Sequence, residues 1–283
     1  VSSDPSSDGD VSAAQRAAEV ELPWIDTHCH MDAAEFDGDR DQVLQQATKV
    51  GVKHLVLPAV DIDNFERVRS IAHQVAGGCY ALGIHPMCSA AAGEADLAKL
   101  DEALAGSKQD ERLVAVGEIG LDLFVEELKS EDALRHQEWL FAEQLKLAQR
   151  HKLPVLVHIR RAQDRVLKSL RAHKGVTGIA HAFNGSRQQA DQFIELGFKL
   201  GIGGAMTFER ALNIRRIANA VDLSALVLET DSPDISPSWL HPVRNTPDQI
   251  PAIGKALATL RGISTREIAV QTARNARSVL QRL

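Results

Sequence analysis

Two histidines stand two residues apart in the run Trp24-Ile25-Asp26-Thr27-His28-Cys29-His30. Residues 22–25 read as a short apolar strand, and side chains alternate along an extended backbone, so His28 and His30 point the same way. Neutral imidazole is the commonest metal ligand, and two aimed at one point make half a metal site. Cys29 lies between them, faces away and reads as packing. A bare H-x-H is more often two polar loop histidines. Here, however, metal-ligand types recur after later apolar runs: His85 in Gly83-Ile84-His85-Pro86, Glu118 in Gly117-Glu118-Ile119-Gly120-Leu121-Asp122, His158 and Arg160, His181, and Asp231 in Glu229-Thr230-Asp231-Ser232-Pro233. Burying Glu118 and Asp231 without a partner would cost several kcal/mol, and a pair of divalent cations would neutralise both.

Positioning these groups requires a regular scaffold, and the chain supplies one. Short apolar runs at 22–25, 54–58, 80–83, 113–116, 154–157, 178–180, 199–201 and 226–228 alternate with amphipathic segments at 41–50, 64–75, 94–105, 130–151, 163–173, 186–196, 210–220 and 247–261. A last helix, 264–283, opens with a capping box from Ser264 to Glu267. This α/β pattern has the strand count of a single (β/α)8 TIM barrel, whose active site lies at the C-terminal strand ends. A doubly wound sheet is the alternative, but no G-x-G-x-x-G turn follows the first strand. The seventh run offers only Gly201, Gly203 and Gly204, read as places where the backbone approaches a ligand.

Composition sets the bounds. With 283 residues, 44% hydrophobic and 25% charged, the chain can bury a large core. No apolar run approaches the ~18 residues of a membrane helix. Cys29, Cys79 and Cys88 are an odd number, which suits a reducing, cytoplasmic setting better than a disulfide framework. A net charge of −6 argues against a strongly basic nucleic-acid binder. It leaves room for an enzyme whose bound cations meet phosphates. Residues 1–21 are Ser-, Asp- and Ala-rich, lack the pattern of a secretory signal and read as a disordered tail, which leaves 22–283 as the domain. With no coiled-coil signal and no obligate protein partner evident, monomer is the default.

The runs W-I-D-T-H-C-H, G-I-H-P, V-G-E-I-G-L-D, P-V-L-V-H-I-R, H-A-F-N-G-S and L-E-T-D-S-P, in that order, together with Arg244, Asn245 and Pro247, resemble the TatD-type metal-dependent hydrolases. These are deoxyribonuclease-like barrels related to the amidohydrolases, and the likeness runs from about Leu22 to the C-terminus. The resemblance implies two divalent ions (Zn, Mn, Co, Ni or Mg) with ligands at His28, His30, Glu118, His158, His181 and Asp231. Glu118 would bridge: one site takes His28, His30, Glu118 and Asp231, the other Glu118, His158 and His181. His85 and Arg160 take positions near the substrate.

The implied activity is cleavage of DNA phosphodiesters, 3′→5′. Two cations about 3.5–4 Å apart can polarise a phosphoryl oxygen, acidify a water and stabilise the leaving oxygen. Asp231 would take the water's proton, and Arg160 would hold phosphate oxygens in a bidentate fork. The rival reading keeps the metal site for a small phosphoester, a cyclic amide or an aminoacyl-tRNA ester. A non-catalytic scaffold is less favoured, since every ligand position is filled.

Overall fold

The computed structural model describes residues 22–283; the tail expected over 1–21 lies outside the described residues. Eight parallel strands pair in strictly sequential order. They are β1 (Trp24–Asp26), β2 (Val52–Pro58), β3 (Gly78–Leu82), β4 (Leu113–Asp122), β5 (Val155–Arg160), β6 (Gly178–Ala180), β7 (Phe198–Ile202) and β8 (Leu226–Leu228). Helices α1 (Arg40–Lys49), α2 (Phe65–Gln74), α3 (Glu94–Gly106), α4 (Glu131–His151), α5 (Gln163–Ala172), α6 (Arg187–Glu195), α7 (Leu212–Ala220) and α8 (Ile250–Arg261) follow the strands in turn, and α9 (Thr265–Val279) ends the set. The order excludes a doubly wound sheet, in which the strand sequence reverses. The fold is a TIM barrel.

Closure is made just above the last strand. Thr27 N donates to Leu228 O (3.0 Å), Asp231 N to His28 O (2.9 Å) and His30 N to Ser232 O (2.7 Å), and Cys29 bridges Ser232 in parallel. The two segments richest in metal-ligand types, some two hundred residues apart in the chain, are thereby stitched together.

Alternation along the strands sorts the side chains. Ile25, Val56, Ala81, Leu156, Ile179 and Val227 belong to one inner cluster, to which Ala273, Ala276, Val279 and Leu280 add from the last helix and its end. That helix covers the N-terminal end of the barrel, where the Asn275 amide donates to Leu223 O and Leu226 O (both 2.7 Å). Two residues above the inner layer stand His158 over Leu156, His181 over Ile179 and Glu229 over Val227. The period of two thus lifts polar groups into the opposite, C-terminal mouth.

Strand β4 extends six residues past the apolar run that announced it. Its glycines and Glu118 interrupt the hydrophobic pattern, yet the pairing with β5 continues to Asp122 opposite Arg160, with a register shift between Val116 and Ile119. Ser264 caps α9 by accepting from Glu267 N (3.1 Å). Among the described residues no helix is long and apolar enough to cross a membrane, and all three cysteines are free thiols.

Candidate metal centre

The mouth gathers imidazoles around one carboxylate. Glu118, 1% exposed, turns Oε2 toward His28 Nε2 (3.0 Å) and His30 Nε2 (3.4 Å), and Oε1 toward His158 Nδ1 (2.8 Å) and His85 Nε2 (3.4 Å). Each oxygen therefore serves a different histidine pair. Asp231 Oδ1 closes the first side, 3.7 Å from His28 Nε2, 3.6 Å from His30 Nε2 and 3.3 Å from His181 Nε2. Three groups have ligand atoms close enough to share an ion: His28, His30 and Glu118; His28, His181 and Asp231; and His85, Glu118 and His158. His181 stacks on His28 at 3.6 Å between ring centroids, within the charge field of His158 as well as beside Asp231. His85 occupies the place beside Glu118 and His158.

The donor set fits divalent cations. His28 Nε2 and His30 Nε2 face each other at 3.2 Å while both also face Glu118 Oε2, an arrangement with more lone pairs than protons to share. His28 Nδ1, His181 Nδ1 and Glu229 Oε2 are buried without a hydrogen-bond partner. Imidazole and carboxylate together are a ligand set for Zn and its neighbours in the first transition row, and carboxylates with water also accommodate Mg.

Electrostatics keeps the carboxylates charged. Burial opposes ionisation of Glu118, but His28, His85 and His158 outweigh it and hold the carboxyl well below its ordinary range. Asp231 is likewise penalised by burial, yet His181, His28 and His30 lower it to about 2. Burial pushes the other way on His30, which Glu118, Asp231 and Asp32 raise to about 9. His28, buried and next to His181, is pushed down, so the two members of the H-x-H are not equivalent.

Two further carboxylates stand behind the histidines. Asp122, fully buried, accepts from Phe124 N (2.7 Å) and Val125 N (3.0 Å) on Oδ1 and faces His158 Nε2 with Oδ2 (3.2 Å). Glu229 accepts from Ala182 N (2.6 Å) on Oε1, 3.1 Å from His181 Nδ1, close in distance but off in direction. Such outer partners fix ring orientation. The signal was present in the sequence: Glu229 lies two residues before Asp231, and Asp122 four after Glu118. A third carboxylate, Asp26, accepts from Thr230 Oγ1 (2.6 Å) and Thr230 N (2.9 Å), and burial nonetheless pushes it up to about 8.

Gly201 makes room for this outer layer, and Gly203 and Gly204 make room for neighbouring backbone, so protein atoms come close to all three. A Cβ on Gly201 would lie 2.1 Å from Glu229 Oε2, one on Gly203 2.9 Å from Glu229 O, and one on Gly204 2.0 Å from Ile235 O. Arg160 stands at the rim, its guanidinium 3.8 Å above the Phe124 ring and 4.0 Å from Asp122 Oδ2. Asp231 (φ 59°), Arg161 (φ 57°) and Ala182 (φ 43°) hold left-handed backbone beside the mouth, strain of the kind that concentrates at functional sites.

Comparison with known proteins places this geometry among relatives. Residues 25–281 match the family model described as TatD related DNase. The chain is 40% identical to the uncharacterized metal-dependent hydrolase YjjV of Escherichia coli K12, over 87% of this chain and 93% of that one. It is 31% identical to the human protein named Deoxyribonuclease TATDN3, over 95% and 97% respectively. The crystal structure of E. coli YjjV superposes with a TM-score of 0.84 at 38% identity, covering 91% of this chain and 98% of that one.

Proposed function

The chain belongs to the TatD-related DNase family of metal-dependent hydrolases, and from that premise we propose that it is a deoxyribonuclease that trims DNA from the 3′ end. The observation that carries the reading is Glu118: a buried carboxylate whose two oxygens address two separate histidine pairs, as a group shared between two cations must. We assign the ligands as His28, His30, Glu118, His158, His181 and Asp231. Divalent cations held there would polarise a phosphoryl oxygen, acidify the attacking water and stabilise the leaving oxygen.

The chain's own residues supply the rest. Asp231, ionised across the neutral range, accepts the water's proton at Oδ1 and is held in place by its backbone N–H on His28 O. His85 meets the phosphate from the His158 side, and the Arg160 guanidinium reaches it from the rim with a planar donor fork. Asp122 orients the His158 ring. The deoxyribonuclease name of the human relative supports the choice of DNA, as does the cationic edge at Arg160 and Arg161.

The test is a panel of end-labelled single-stranded DNA, duplex DNA, RNA and small phosphoesters, with and without Mn and Mg. Metal-dependent shortening of DNA from the 3′ end is expected. Turnover confined to small phosphoesters or to RNA would replace the reading with another substrate of the same site.

A further inference from the structure

The six large hydrophobic side chains most exposed among the described residues, Met87, Phe124, Leu212, Ile235, Trp239 and Val243, all lie in segments that follow the C-terminal ends of β3, β4, β7 and β8. Apolar surface left uncovered on one face, around a site, marks a place where something binds. Phe124 is the member tied to the chemistry. Its backbone N–H donates to Asp122, the same carboxylate that faces His158, so this point of the loop is tied to a candidate ligand. The guanidinium carbons of Arg160 and Arg161 lie 3.8 and 4.7 Å from the ring centroid, yet the residue keeps 42% of its surface exposed. Arg161 reaches this position from a left-handed backbone. Of the acids on the same loop, Glu126 is paired with Lys129 (2.6 Å), and Glu127 adds one exposed negative charge.

We propose that Phe124, flanked by Arg160 and Arg161, is a nucleobase-stacking subsite that seats the nucleotide next to the bond being cleaved. The inference rests on the deoxyribonuclease reading and adds a determinant to it. An aromatic face accepts any base, and guanidinium groups beside it complement the adjoining phosphates, the combination used to hold single strands without reading sequence. Small phosphoesters lacking a base would gain nothing from it.

The experiment compares wild type, Phe124→Ala and Phe124→Trp on oligonucleotides that carry either a normal nucleotide or an abasic residue at each of the two positions flanking the scissile phosphate. Phe124→Ala is expected to lower kcat/KM about 5- to 150-fold on the base-bearing substrates. On the abasic substrate that matches the subsite the two proteins should converge, and Phe124→Trp should restore the preference for a base. A 2-aminopurine at that position should be quenched on binding wild type and the Trp variant but not the Ala variant. Equal losses with and without the base, or quenching unchanged in the folded Ala variant, would overturn the subsite while leaving the nuclease intact. Failure of wild type to cleave any oligonucleotide would overturn the deoxyribonuclease reading and the subsite with it.

Discussion

Replacing Gly201 by alanine probes how the buried outer carboxylate is accommodated. Gly201 lies inside β7, whose backbone any residue tolerates, so the cost of a methyl group there is a matter of space. The added Cβ would lie 2.1 Å from Glu229 Oε2 and 2.6 Å from Oε1. A carboxylate at the end of a flexible side chain could ordinarily swing aside. Glu229 is 1% exposed and accepts from Ala182 N at 2.6 Å, so moving it strands a buried N–H, at a cost of about 1–3 kcal/mol. Overpacking the barrel interior adds about 1–3 kcal/mol. A loss of about 2–6 kcal/mol in denaturant unfolding is therefore expected, together with weaker metal retention around His181. The control is Glu229→Ala, which vacates the space the methyl would enter. In that background Gly201→Ala should cost little, with a coupling energy toward the upper end of the ~0.5–3 kcal/mol seen for residues in contact. Additive losses in the double variant would refute the argument, because they would mean the methyl collides with something other than the carboxylate.

Asp231→Asn should lower single-turnover cleavage of a labelled oligonucleotide by at least about 10²–10⁴-fold with circular dichroism unchanged, the range typical of a lost general base; activity within about threefold of wild type would remove Asp231 from the chemistry. Glu118→Gln keeps the shape but removes the charge that two cations must share, and elemental analysis should show depletion of both; wild-type metal content would rule out the bridge. Away from the site, burial raises Asp110, but the bonds from His73 Nε2, Tyr80 Oη and Arg112 N outweigh it and hold the carboxyl below its ordinary value. Its contribution is therefore present above the unfolded pKa of about 3.9 and is lost as pH falls through the lower folded value. Urea titrations should show Asp110→Asn less stable than wild type at pH 7, with the gap narrowing below about pH 4; a gap independent of pH would contradict the assignment.

Much of this architecture was legible locally. Alternating short apolar runs and amphipathic segments specify strands and helices, because a period of two or of 3.6 is a property of neighbouring residues. The same period placed His158 and Arg160 above Leu156, on one face of β5. It also turned His28 and His30 together and Cys29 away, toward Val56 O. The extension of β4 to Asp122 was not legible, since Gly117, Glu118 and Gly120 break the apolar run and only pairing with β5 continues the strand.

What tertiary structure decided were the distances across the mouth. No local pattern says that His181 stacks on His28, that His85 comes within 3.4 Å of Glu118, or that Arg160 stops at the rim over Phe124. Nor does it reveal that Gly201 makes room for the buried Glu229. These relations join residues on different strands, and they are set by register, twist and the closure of β8 on β1. The residue types and their order along the chain state which groups the site can contain; only the closed barrel determines which of them touch.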